Sequence, residues 1–315
     1  MRRRFFNGMV GSVNIENYLT MVALEDDFQV LIPDELLYCI DGTSWERLSS
    51  NSYTPKIKSG QTISFVGSIT SFQGSVKTFK ITKPCNLTGN CMSVSGGESP
   101  AFTRLFSDCS LIKSVSKDFL PATTLADSCY SSMFSGCTSL TSAPELPAVR
   151  LYEGCYTYMF KYCRKLDHIK MFGIKCRTIA DGSGSTNEYM ERALKDWVLK
   201  VSATGTFIKN VSAVWNITGG NGVPEGWTVT RQPLIKVVNT IYVTIEEDSS
   251  GRYTVNARSS FPVYEEVKVA CKNRSFYIWD RIGSVGRIEG KPTKSDFNIS
   301  PSEDEQYIYQ IEIEQ

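Results

Sequence analysis

The sequence predicts an α+β chain of several domains: an N-terminal β-sandwich-like domain, a short solenoid of stacked repeats, and a C-terminal immunoglobulin-like β-sandwich. Three observations predict it. Short runs of alternating polarity fill the first quarter, a repeat of 26 residues occupies the middle, and strand-rich segments follow Trp227. At 315 residues the chain is long for a single core, since domains average about 100–150 residues. Apolar residues at 41% and charged residues at 21% supply ordinary globular cores.

Residues 1–16 read as an N-terminal arm. The start Met1-Arg2-Arg3-Arg4 resembles the charged tip of a signal peptide, but such a peptide needs an unbroken apolar run of roughly 7–15 residues. Here Phe5-Phe6 is followed at once by Asn7 and Gly8. No window reaches the ~18 apolar residues of a membrane span. The expectation is a protein made in the cytosol without an export signal and without membrane insertion.

Residues 17–90 read as a β-rich domain. Leu19, Met21 and Ala23 alternate with Tyr18, Thr20 and Val22, and Ile63-Ser64-Phe65 and Val76 to Ile81 keep the same period of two. Turn signals at Ser59-Gly60 and Gln73-Gly74 separate them, the signature of antiparallel strands. Such a domain also covers the apolar end of the first repeat.

Residues 91–231 carry the repeat. Leu125, Cys129-Tyr130, Met133-Phe134 and Cys137 recur 26 positions later as Leu151, Cys155-Tyr156, Met159-Phe160 and Cys163, and Pro121-Ala122 recurs as Pro147-Ala148. A third copy, Leu105-Phe106-Ser107-Asp108-Cys109, precedes them by 28. Cys129, Met133, Cys137 and Leu140 fall within about 80° of one another on a helical wheel at ~100° per residue. The unit therefore predicts an apolar helix, capped by Thr124 to Asp127 and closed by Gly136, followed by an extended return. One unit cannot bury its own face, so the units stack. The expected core is Cys109, Cys129, Met133, Phe134, Cys137, Leu140, Cys155, Met159, Phe160, Cys163 and Leu166. Residues 177–189 read as an insertion before the closing helix.

This stretch resembles the leucine-rich repeats of the BspA-like bacterial surface family, with units of similar length. Ser132 to Ala148 looks like the version found in Bacteroides proteins and their phages. Leu166 to Met171, Ser202 to Lys209 and Gly222 to Val229 fit it too. The resemblance implies a leucine-rich-repeat-like solenoid and a non-enzymatic structural and binding protein. The favoured role is a bacteriophage virion component of the tail or head-fibre type, displaying a surface for host or protein contact. The alternative is a bacterial cell-surface adhesin, with a carbohydrate-active enzyme ranked third. The partners implied are other virion or surface proteins and a host surface glycan or protein, within an oligomeric assembly.

Residues 232–315 read as the immunoglobulin-like sandwich. Ile241 to Ile245 and Tyr253 to Ala257 flank a glycine-containing turn, a hairpin pattern. Val267-Lys268-Val269, Phe276 to Trp279 and Tyr307 to Ile313 supply further strands.

Ten cysteines suggest disulfides or a metal framework at first sight. There is no C-x-x-C pair, and the one histidine, His168, cannot complete a Cys/His zinc cluster. Seven of the ten lie between Cys91 and Cys176, where the repeat favours a buried column of small apolar side chains. No cofactor or metal is expected, and the net charge of +1 offers no general attraction to nucleic acid.

Catalytic signatures were sought in turn. No G-x-S-x-G elbow or phosphate-binding glycine loop occurs. Glycoside hydrolysis needs only two facing carboxylates, yet nothing singles out a pair among Glu145, Glu153, Asp167 and Glu265-Glu266. Asp26-Asp27 and Glu246-Glu247-Asp248 match no EF-hand loop. The tyrosines are more suggestive. Tyr152, Tyr156, Tyr158 and Tyr162 crowd one unit and form the candidate binding face, since flat rings tipped with hydroxyls suit protein or sugar contacts.

Overall fold

The computed structural model describes residues 18–69, 77–95, 102–123, 125–176 and 185–233. In the last stretch it describes 237–247, 249–250, 252–259, 267–271, 274–279, 282–283, 286–289, 291–300 and 307–314. The arm at 1–16, the cap residue Thr124 and most of the insertion at 177–189 lie outside the described residues. The chain divides into two compact units, Met1–Gln232 and Pro233–Gln315.

The first unit opens with β1 (Leu19–Ala23), β2 (Val30–Leu31), β3 (Leu36–Ile40), β4 (Trp45–Leu48), β5 (Thr62–Gly67), β6 (Lys80–Ile81), β7 (Cys85–Gly89) and β8 (Ile112–Val115). Six of them form one sheet in the order β4-β3-β5-β1-β7-β8, while β2 pairs with β6. The alternation read from sequence puts Leu19, Met21 and Ala23 fully inside. Thr20 is buried as well and shares a 2.7 Å hydrogen bond with Ser64, which satisfies both hydroxyls. Every pair in this sheet is antiparallel except β7–β8, which is parallel. That parallel pair hands the sheet on to the repeats, and one buried cluster runs from Leu19 to Trp227.

The repeat segments are not helices. Residues 127–137 form consecutive turns in which donors alternate. The N–H groups of Cys129, Ser131, Met133, Ser135 and Cys137 bond the carbonyl three residues back, at 3.1–3.3 Å. Those of Ser128, Tyr130, Ser132, Phe134 and Gly136 bond Glu153, Cys155, Thr157, Met159 and Lys161 of the next copy, at 2.8–3.0 Å. Every fourth residue is left-handed: Ser128, Ser132 and Gly136 here, Gly154, Tyr158 and Tyr162 in the next copy, all with φ between 56° and 76°. A left-handed residue every four positions interrupts an α-helix and frees half the donors to join adjacent copies.

Layers 102–109, 127–137, 153–163 and 192–200 stack in this way. Their inward rings form a ladder, Phe79, Phe106, Phe134, Phe160 and Trp197, with centroids 5.5–6.1 Å apart. Beside it runs a second ladder of Phe102, Tyr130, Tyr156 and Trp197. The thiols of Cys109, Cys137 and Cys163 each donate to a carbonyl one layer back, Phe79, Phe106 and Phe134, at 3.0–3.2 Å. All ten cysteines are free and buried.

On the opposite side the returns run parallel. β9 (Arg150–Leu151) pairs with β11 (Lys175–Cys176), and β10 (His168–Met171), β12 (Thr206–Asn210) and β13 (Thr228–Gln232) form a parallel sheet in that order. A single helix, α1 (Thr186–Ala193), leads into the last layer, capped by Ser185 accepting from the Glu188 N–H. Indole N–H groups tie down the far end: Trp197 to Gly222, Trp215 to Gly173 and Trp227 to Ser202, at 2.8–2.9 Å.

The second unit holds two four-stranded sheets. β14 (Val237–Glu247), β15 (Arg252–Ser259), β16 (Val267–Cys271), β17 (Arg274–Trp279), β18 (Ile282–Gly283), β19 (Gly286–Glu289), β20 (Phe297–Ser300) and β21 (Tyr307–Glu314) arrange as β19-β15-β14-β21 and β18-β17-β16-β20. β14 and β15 are the hairpin expected from the turn signal, whereas β21 pairs with β14 in parallel.

The expected α+β arrangement of sandwich, helical-repeat solenoid and immunoglobulin-like sandwich is therefore corrected. The described residues are mostly small sheets joined by turns, with one α-helix. The N-terminal strands make one sheet and a short ladder in place of a sandwich, and the parallel β14–β21 pair departs from an all-antiparallel one. Among the described residues no helix is long and apolar enough to cross a membrane.

Candidate binding face

The left-handed residues of successive layers lie in register, because their N–H groups make the interlayer bonds. Two columns result. One contains Arg104, Ser132, Tyr158 and Asp196, and its neighbour contains Asp108, Gly136, Tyr162 and Lys200. The second layer contributes only serine and glycine to these columns, between a charged pair and a tyrosine pair. A notch opens there, a trough of about 610 Å³. Arg104, Ser107 and Asp108 line it from the first layer, Ser132 and Ser135 from the second, and Tyr162 from the third, with Lys80 of β6 beyond them.

Gly136 is required at the notch on two counts. Its φ is +76°, and a Cβ there would meet Asp108 Oδ1 at 2.3 Å. Beyond the notch, cations rest on the tyrosine rings. Lys161 Nζ lies 4.5 Å from the Tyr158 ring centroid and 5.5 Å from that of Tyr162, while its ammonium is 3.5 Å from the Asp196 carboxylate. Lys200 Nζ lies 5.5 Å from the same Tyr162 ring. Exposed cation–π contacts contribute about 0.5–1 kcal/mol each, and two on one ring hold Tyr162 while leaving it 38% exposed.

Of the four tyrosines expected to form a face, Tyr158 and Tyr162 do. Tyr152 is half-buried against the core. Tyr156 is corrected: it is only 1% exposed, stacked between Tyr130 and Trp197. The distinction was present in the repeat itself. Tyr156 has a counterpart, Tyr130, and so belongs to the core, whereas Tyr158 and Tyr162 align with Ser132 and Gly136. The expected core residues Cys109, Cys129, Met133, Phe134, Cys137, Leu140, Cys155, Met159, Phe160, Cys163 and Leu166 are all buried. Arg104, Asp108, Lys161 and Lys200 were not anticipated at the face; their only signal was the spacing of four.

The other candidate groups are dispersed. His168 is half-buried in β10. Glu145 pairs with Lys170 at 2.9 Å, and Glu153 and Asp167 are exposed. Asp27 pairs with Lys56 at 3.4 Å, and Asp26 accepts from the Ser59 N–H. Glu246 and Glu247 are exposed on β14, while Asp248 and Glu265-Glu266 lie outside the described residues. Among the described residues no group of three or more His, Cys, Asp or Glu is placed to hold a metal ion. Burial pushes the Cys109 and Cys129 thiols up to about 12, and those of Cys137 and Cys155 well above their ordinary value. Thiols so placed are poor nucleophiles.

One buried cation stands apart from the face. Lys209, in β12, is 3% exposed, with Nζ 3.8 Å from the Trp215 ring centroid and donating to the Trp215 carbonyl. Burial, and then the nearby Arg231, lower it to about 8. Arg231 in turn donates to the Val211 and Ala213 carbonyls at 3.3 and 3.0 Å, so the two cations fasten the same loop.

Set beside known proteins, the chain matches no family model, no curated protein and no solved structure.

Proposed function

We propose that this chain is a non-enzymatic structural and binding protein whose layered turn face is its contact surface. The observation that carries this reading is the trough at the second layer, where serine and glycine separate Arg104 and Asp108 from Tyr162. Its setting supports display over reaction. The face is built on interlayer hydrogen bonds and stacked rings that hold it stiff without substrate. Stiffness of this kind lowers the entropy lost on binding.

The resemblance of residues 90–230 to BspA-like repeats of Bacteroides and their phages supports a place in a bacteriophage virion, of the tail or head-fibre type. There it would contact other virion proteins and a host surface. Quantitative mass spectrometry of gradient-purified phage particles tests this placement. Peptides from the chain should band with intact particles at structural stoichiometry. Their absence from particles, with recovery from proteolytically shaved cells, would overturn it in favour of an adhesin.

A further inference from the structure

We propose that the trough binds an acidic pyranose residue of a glycan, with the sugar ring on Tyr162 and its carboxylate on Arg104 and Lys80. This rests on the reading of the turn face as a contact surface and names the ligand class it takes. The trough volume of about 610 Å³ falls within the roughly 300–1,000 Å³ of small-ligand sites. Its lining is rich in hydroxyls, with Ser107, Ser110, Ser132 and Ser135 able to donate and accept toward a polyhydroxylated ring. Tyr162 adds the one exposed aromatic ring of the lining, held at its back by Lys161 and Lys200. A flat apolar surface of this sort covers the C–H face of a pyranose.

Charge selects among sugars. Lys80 and Arg104 line the trough against a single carboxylate, Asp108. A planar guanidinium forks onto a carboxylate through two hydrogen bonds, and Asp108 remains to accept from ring hydroxyls. A peptide would need apolar pockets for its anchoring side chains, and the trough floor is serine and glycine. A nucleic acid strand would need several stacking rings along a cationic track, and the trough presents one.

Calorimetric titration of the full chain with a uronate-containing oligosaccharide, and with the same oligosaccharide reduced at its carboxyl groups, tests the proposal. An array of acidic glycans would select the oligosaccharide. The acidic form should bind at least tenfold more tightly than the reduced form. Tyr162→Gly and Arg104→Gly should each weaken it tenfold or more without lowering the melting temperature, because both positions are left-handed and accept glycine. Equal binding of the reduced form, unchanged binding by both variants, or no binding of any acidic glycan at millimolar concentration would overturn it. If no sugar binds while groups on this face still cross-link to a host or virion protein, the ligand class fails and the contact-surface reading survives. If neither occurs, both fail.

Discussion

Ser128, Ser132, Tyr158 and Tyr162 hold left-handed backbones that L-residues adopt at a cost of about 1–2 kcal/mol each. The compensation is that their N–H groups, pointed out of the turn, bond the next layer. Ser128 is exposed, and the equivalent position in the next layer is already Gly154. Ser128→Gly should therefore raise stability by about 0.5–1 kcal/mol after glycine's entropy cost, read as a higher urea midpoint with an unchanged slope. Gly136→Ala should do the reverse, costing about 2 kcal/mol or more, since it adds left-handed strain and a clash with Asp108. At this scale the sequence is nearly mute. Serine, arginine and tyrosine carry no left-handed signature, and Gly136, which does, also fits the end of a helix.

At the scale of elements, the misread helix has a specific cause. Cys129, Met133 and Cys137 are spaced by four, and over so short a run a period of 4.0 drifts only about 40° per turn from one of 3.6. Apolar spacing could not separate the two. The backbone decides instead, because the left-handed residues send alternate donors between layers. What the sequence did carry was the copy length, and with it the ring ladder, since Phe106, Phe134 and Phe160 sit at matching positions. Each ring in that ladder packs against the copies before and after it. Phe134→Ala should therefore cost about 3–5 kcal/mol, and Phe134→Leu distinctly less. Denaturant melts of the two variants check the order. Equal small losses would mean that the layers do not depend on the ladder.

For the whole molecule, the thiols set the response to alkali. In the folded chain Cys85, Cys91, Cys109, Cys129, Cys137, Cys155 and Cys163 are all raised above their ordinary 9.0 by burial. A group raised in the folded state contributes stability that is intact below its unfolded value and lost as pH climbs past it. Each such thiol removes about 1.4 kcal/mol per pH unit above roughly 9. Lys209, lowered to about 8 from 10.5, acts in the opposite sense across that window, but it is one proton against seven. Stability under reducing conditions should thus fall steeply between about pH 9 and 10.5. Replacing Cys137 and Cys163 by alanine should shallow that fall even as it lowers stability at pH 7. Thermal melts across this range check it. The buried thiol column was legible because its members recur with the copy length. The join at the parallel β7–β8 pair was not, since nothing in a period-two pattern says whether the next strand runs parallel.

The central claim, that the layered turn face is where this chain meets its target, is tested most directly by site-specific photo-cross-linking on the assembled protein. A photoreactive residue replaces exposed Ser110 at the rim of the trough, with one at exposed Lys56 in the N-terminal region as control. Each is then presented to host envelopes. Covalent adducts that form from position 110 and fall away with Tyr162→Gly, with none from position 56, are the result predicted here. Adducts from position 56 alone, or from both positions regardless of Tyr162, would contradict it.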